Sequence, residues 1–434
     1  MITSMPWLLI VLLTVTLAFV FATLFSQKRT LFYLIGAFSL VVIGYYLHTF
    51  TLDKAWESIK SAMPVLILIV ALEVFSLRIN DLGIIDFATR KFLRIIKSPV
   101  WIQIGLLLIT YGLSLLMNNL AAIVILVPLA ITISTILGFK SKPFLVMMVI
   151  ASNLGGASTL IGDFPNITIS RYAEADFIDF FKNLGLPILL FLLPACIGVY
   201  YYFHLKGEVQ KNFVSTHVRF KLKLVKGLYD KMSSMPNVKH SIIVGSLFIA
   251  MLFSFIRWHF DPAIIAGLFV ATLLLFVVMG EELLRRVDLS VLFLFIALFT
   301  IAGAVQTTGI FDYLQNYLSK NSSSPLLPAL FLLWTSAITT AFLSAGPSTA
   351  LFVPFTMSLG ALIPNNLNWW ILSLGVLAGS SSTVIGATAG PITMLFFEKS
   401  VKDRFSFWDF SKWGIPMGLL FLGVSSLYLV VILT

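Results

Sequence analysis

What this chain has little of narrows its chemistry before any motif is considered. It has one cysteine, Cys196, so no internal disulfide and no cysteine metal cage can form. Cys196 lies in an apolar run and reads as a small core residue. Five histidines, His48, His204, His217, His240 and His259, sit at the ends of apolar stretches or in loops, without HExxH spacing. There is no GxSxG elbow and no Walker loop, so neither hydrolase chemistry nor ATP-driven pumping is indicated. With no catalytic cluster left, the chain is not read as an enzyme. Charge is scarce too: Asp, Glu, Lys and Arg together make 11% of 434 residues, where a soluble domain carries about 25%.

What is there is apolar. Hydrophobic residues make 59% of the chain, the composition of a polytopic, all-α membrane protein. Apolar runs bounded by charge and turn residues place spans near 6–25, 31–50, 63–79, 143–170 and 178–205, then 240–258, 262–280, 288–306, 367–398 and 408–434. The first run has no positive charge before it and Lys28 and Arg29 after it, the reverse of a signal peptide, and is expected to remain as the first helix. Two longer blocks, 99–138 and 324–364, are interrupted at Met117-Asn118-Asn119 and at Ser344 to Thr349. Each block is two short spans or one re-entrant hairpin.

The chain repeats itself. GIIDFA at 83–88 recurs as GIFDYL at 309–314, and VPLAI at 127–131 as VPFTM at 353–357, both 226 residues on. STLIG at 158–162 recurs as STVIG at 382–386, 224 residues on. Three matches in one order at nearly one spacing mark a duplicated unit. The first unit spans 1–205 and the second 240–434, joined by a basic connector at 206–239. If both termini lie outside the cytoplasm, only Lys54, Lys60, Arg171, Lys182, Arg257 and Lys320 of the 29 Lys and Arg fall outside. Five spans per unit is odd, so the units are inverted, a plan common to secondary transporters. The net charge of +10 then reports topology in a plasma (inner) membrane, with lipid and not nucleic acid as neighbour. Residues 81–97 read as an amphipathic helix at the cytoplasmic interface. The connector reads as solvated, although its RFKLKLVK segment (219–226) has the charge to meet anionic lipid.

The most informative stretch is SNLGGASTLIGDFPNITI, 152–169. Gly155, Gly156 and Pro165 oppose a continuous helix, and Asp163 puts a carboxyl where hydrocarbon would not tolerate it. Irregular backbone survives at membrane depth only inside protein or against a watery cavity. Two broken helices, 143–170 and 367–398, and two hairpin tips therefore define a candidate midplane site. Ser158, Thr159, Gly162, Asp163, Pro165 and Asn166 come from the first broken helix, with Asn118 and Asn119 from the first tip. The second unit offers Ser348, Thr349, Ser382 and Thr383. Helix ends exposing amides suit an anion, and ends exposing carbonyls suit Na⁺, which would lie near Asn119, Gly162 and Asp163. The alternative for each lone hydroxyl is a back-bonded helix residue; Asp163 is read as a site residue, with a helix cap as the alternative. Glu73, the other intramembrane carboxyl, either pairs with Arg78 or serves coupling.

SNLGGASTLIGDFPN (152–166), MNNLAAIVILVP (117–128) and SAGPSTALFVP (344–354) resemble the ion transporter superfamily, in its arsenite-permease and NhaD-type antiporter branch. Divalent anion/sodium symporters and citrate permeases are cousins. The resemblance implies re-entrant hairpins, unwound fifth and tenth helices, a homodimer and elevator movement, and gives binding roles to Asn118, Asn119, Gly162, Asp163, Pro165, Asn166, Ser348, Thr349, Ser382 and Thr383. Phe164 and the ATAGP ending (387–391) depart from its pattern. The expectation is a secondary active permease moving a small anion, oxyanion or carboxylate, with H⁺ or Na⁺ and no other cofactor. Na⁺/H⁺ antiport and arsenite efflux are the rivals.

Overall fold

The computed structural model describes residues 5–25, 28–84, 87, 89, 91, 98–206, 227, 238–257, 260–276, 280–322 and 324–433. The interfacial helix expected at 81–97 and the connector at 206–239 lie mostly outside the described residues. All regular elements within them are helical. This is what an apolar solvent imposes, because a helix satisfies its backbone amides and carbonyls within one segment.

The first half runs α1 (Met5–Leu24), α2 (Arg29–Tyr46), α3 (Leu52–Asp81), α4 (Pro99–Ser114), α5 (Asn119–Leu137), α6 (Ser141–Ala157), α7 (Phe164–Ala173) and α8 (Phe177–Leu205). The second runs α9 (Val238–Arg257), α10 (Pro262–Phe276), α11 (Gly280–Arg285), α12 (Leu289–Gln306), α13 (Ile310–Asn321), α14 (Leu326–Leu343), α15 (Ala345–Leu359), α16 (Leu367–Ser382), α17 (Gly390–Val401) and α18 (Phe407–Leu433). Among the described residues nine helices are long and apolar enough to cross a membrane. Their outer faces are oily: Leu275 is 82% exposed and Val431 80%, which water would disfavour and lipid tails accept.

Three features differ from the sequence reading. Helix α3 begins at Leu52, not near 63, because Thr51 caps it by accepting the Lys54 amide and about three turns carrying Asp53, Lys54, Glu57 and Lys60 precede the apolar run. Helix α8 contains wide π turns at Phe181–Gly185, Ile188–Leu192 and Tyr201–Leu205; Pro187 and Pro194 each remove an amide from its ladder. Helix α13 was not anticipated as a helix, since only Leu318 within it is buried and it shows no apolar run.

At the centre stand α6 and α16. Every residue of α6 from Phe144 to Ala157 is buried, the pattern of a helix surrounded by others. Helix α4 packs on α6 and α14 on α16, while α5 meets α17 and α15 meets α7. The closest approaches recur as well. A Cβ at Gly155 would collide with the Tyr111 carbonyl and Ser114, and one at Gly379 with the Ala337 carbonyl and Thr340. Helices α1, α2 and α12 share a second apolar cluster around Trp7, Val11, Leu40 and Leu298.

Gly155→Ala and Gly379→Ala should therefore each lower the melting temperature of the detergent-solubilised protein, since overpacking against backbone costs about 1–3 kcal/mol. Gly245→Ala, where nothing lies within 4 Å, should leave it unchanged or raise it. Equal melting of all three variants would contradict this packing.

Candidate functional site

Helix α6 ends at Ala157 and α7 begins at Phe164, with Ser158 to Asp163 buried between them. Buried backbone requires partners, and Asn166 supplies many. Its Nδ2 donates to the carbonyls of Thr159 (2.8 Å), Ala157 (2.9 Å) and Gly156 (3.3 Å), and its Oδ1 accepts from Ser373 Oγ at 2.9 Å. Asn166 thus closes the carbonyl end of α6 and ties it to α16. Thr159 donates to the Leu115 carbonyl at 2.7 Å. Ser158 donates back to Leu154 at 2.7 Å and lies 3.2 Å from the Tyr111 hydroxyl. Gly162 fits where a Cβ would strike the Ser114 carbonyl and Gly156. Pro165 occupies the first turn of α7, where its missing amide is harmless.

Asp163 is the N-cap of α7: its carboxylate accepts the Phe164 amide at 2.9 Å. Asn118 caps α5 by accepting the Leu120 amide at 3.0 Å. Asn119 differs from both. It is fully buried, and apart from the Asp163 carboxyl neither its Oδ1 nor its Nδ2 meets a hydrogen-bond partner among the described residues. Its carboxamide stands beside the Asp163 carboxyl, in space kept open by Gly156, where a Cβ would collide with it.

In the second half the matching tie is Thr383, which donates to the Ala341 carbonyl and accepts the Gly386 amide at 3.0 Å. Ser348 accepts from Thr340 at 2.7 Å; Thr349 donates to Ala345 at 2.8 Å and Ser382 to Ala378 at 2.8 Å. These hydroxyls make internal bonds, as do Ser158 and Thr159. The tip residue Ser344 has φ +73° and ψ 158°, a region that glycine occupies freely and other residues at about 1–3 kcal/mol. Asn153, which sequence reading did not single out, donates to the Ser380 carbonyl at 3.1 Å and links α6 to α16 directly.

A cavity of about 240 Å³ opens between these elements and α3. Asn118 and Asp163 line it together with Glu73, Asp288 and Arg29. Glu73 does not pair with Arg78 among the described residues; it accepts the Asp288 amide at 3.1 Å, across to the start of α12. A second cavity of about 90 Å³ lies against the other tip, walled by Ser344, Gly346 and Pro347, and it too reaches Arg29, Phe164 and Thr388. Ser348, Thr349, Ser382 and Thr383 line neither cavity. Arg29 was read from the sequence only as a topology signal. Nothing in its spacing marks it as part of a site, because the helices that bring the cavities to it are remote in sequence.

Among the described residues no group of three His, Cys, Asp or Glu is arranged to hold a metal ion. What the geometry offers is a pair of cavities with carboxylates in the larger one and a guanidinium where the two meet.

Comparison with known proteins agrees with a transport role. The chain is 28% identical to the magnetosome protein MamN of Magnetospirillum gryphiswaldense over 96% of its own length and 99% of that protein's. It is 28% identical to an uncharacterized transporter of Mycobacterium tuberculosis, over 76% of this chain and 77% of the other. In fold it is similar to the crystal structure of the Alcanivorax borkumensis YdaH transporter, with a TM-score of 0.58 and 13% identity over 89% of this chain and 87% of that one. The profile of the citrate transporter family (CitMHS) matches residues 7–376, most of the chain, and the protein belongs to that family of membrane transporters.

Proposed function

We propose that this transporter is secondary active and moves a small anion, a carboxylate or oxyanion, together with Na⁺ or H⁺. The observation that carries the proposal is the buried carboxamide of Asn119, set against the Asp163 carboxyl and otherwise without a partner among the described residues. A buried polar group without a partner costs about 1–3 kcal/mol, and a ligand that completes its bonding is a reason for the fold to keep it. Carboxylate and carboxamide oxygens are the donors Na⁺ prefers, and the carboxylate alone can carry a proton. The citrate transporter family supports a carboxylate as the partner anion. Glu73 and Asp163 lining one cavity favour the second reading, Na⁺/H⁺ antiport. Arsenite efflux rests only on the resemblance of residues 152–166 to the arsenite-permease and NhaD-type branch.

The mechanism we propose is alternating access by inverted repeats. Supporting it are the paired contacts α4 with α6 and α14 with α16, the crossed contacts α5 with α17 and α15 with α7, and the matching ties of Thr159 to Leu115 and Thr383 to Ala341. In this reading 99–138 and 324–364 are re-entrant hairpins, 143–170 and 367–398 are broken helices, and together they travel as an elevator against the remaining helices. The homodimer, the plasma membrane location and the placement of both termini outside belong to the same proposal.

Proteoliposomes with a trapped pH dye test it. Uptake of labelled citrate or phosphate that requires a Na⁺ or proton gradient is the expected result; a Na⁺-driven proton flux with no anion present would replace it with antiport. Asp163→Asn should abolish coupling while the protein still melts within about 1 kcal/mol of wild type, because asparagine caps a helix as well as aspartate does. Asn119→Ala should lower transport at least about ten-fold while costing no more than about 1–3 kcal/mol of stability, since the one protein partner it gives up is the Asp163 carboxyl. Undiminished transport by both variants would remove this site from the mechanism.

A further inference from the structure

Two of the cavities that Arg29 lines differ in charge. Among the described residues three carboxylates line the larger one, those of Glu73, Asp163 and Asp288, with Arg29 as its one Lys or Arg. Among the described residues no carboxylate lines the smaller one, where Arg29 is the one charged residue; a third, more open cavity at Arg29 also holds Lys28 and Asp288. Arg29 occupies the first turn of α2, is half-buried, and makes no ion pair among the described residues. A guanidinium free of any carboxylate partner, facing a partly enclosed space, is matched to a planar or tetrahedral anion, which its fork of N–H groups grips at two points.

We propose that Arg29 is the anion-recognising residue of this transporter, holding an anionic oxygen group of the substrate in the smaller cavity while the coupling cation occupies the larger, acidic one. The assignment rests on the reading of the protein as a cation-coupled anion transporter and divides that site into two halves of opposite sign. Size agrees with it. The smaller cavity, about 90 Å³ against about 240 Å³ for the larger, has room for water-sized groups such as a carboxylate or phosphate head. The body of a larger anion would extend along the shared wall of Phe164, Val291 and Thr388 toward the larger cavity.

The division also supplies a coupling device. With the acidic cavity empty, the field of its three carboxylates opposes a second anion and draws on the Arg29 charge. A monovalent cation bound in that cavity offsets one of the three charges and weakens that field, which leaves Arg29 more available to the substrate. Anion affinity should therefore rise with the coupling cation, and by linkage cation affinity should rise with the anion to the same degree.

The test uses the purified full-length protein in detergent, with binding of citrate, succinate and inorganic phosphate read by thermal shift and by calorimetry, each in NaCl and in choline chloride. Wild type should bind at least one of these anions more tightly in Na⁺, and the three probes separate a carboxylate from a phosphate-like substrate. Arg29→Gln should weaken that binding at least ten-fold while keeping the stabilisation by Na⁺ alone. Arg29→Lys should fall between the two, because an ammonium keeps the charge and loses the fork. The assignment is overturned if Arg29→Gln binds the anion as wild type does, or if it loses the response to Na⁺ together with the response to anion, as a merely structural residue would. If wild type binds none of the three anions, the anion-transporter reading itself fails and the assignment falls with it.

Discussion

Two helices that end inside the protein set the problem that the rest of the structure answers. Where α6 stops at Ala157 and α16 at Ser382, carbonyls and amides are released far from bulk water, and each must find a partner. Asn166 gathers three carbonyls, Asn153 reaches across to Ser380, and Thr159 and Thr383 tie the irregular segments to the ends of α4 and α14. The small residues follow from the same need. Gly155, Gly162, Gly379 and Gly386 stand where neighbouring backbone comes too close for a side chain. Polar ties and close packing together hold an irregular segment rigid enough to present Asp163 and Asn119 at fixed positions.

Much of this was legible in the sequence because it follows from period and composition. The apolar runs gave the helices, and the Gly, Pro and Asp of 152–166 marked where regular structure fails. Asp163 was read both as a cap and as a site residue; it caps α7 and also lines the cavity. The individual hydroxyls were less legible. Whether Ser348 or Thr349 faces a cavity or its own helix depends on a rotamer, and a rotamer is set by packing that spacing along the chain does not reveal. Arg29 was missed for a different reason. Its place in the cavity walls comes from helices α3, α12 and α15 converging on the start of α2, a tertiary fact with no local signature.

Asn119 and Asn166 show how adjacent polar residues of one type divide between structure and chemistry. Asn166 uses both ends of its amide within the protein, so its contribution is to shape. Asn119 meets the Asp163 carboxyl and no other partner among the described residues. Because both are fully enclosed, exposure does not distinguish them, and only the account of donors and acceptors does. The same account sorts the carboxylates. Asp163, Asp288 and Glu73 each accept a backbone amide, which fixes their orientation and leaves further lone pairs for a cation.

The ties between tips and irregular segments have one further property. Thr159 and Thr383 donate to main-chain carbonyls, at Leu115 and Ala341, and not to side chains. A carbonyl is present whatever residue carries it, so the acceptor positions are free to drift through any amino acid that fits the space. A scaffold whose critical joints are written half in backbone constrains its sequence only at the donor end of each joint.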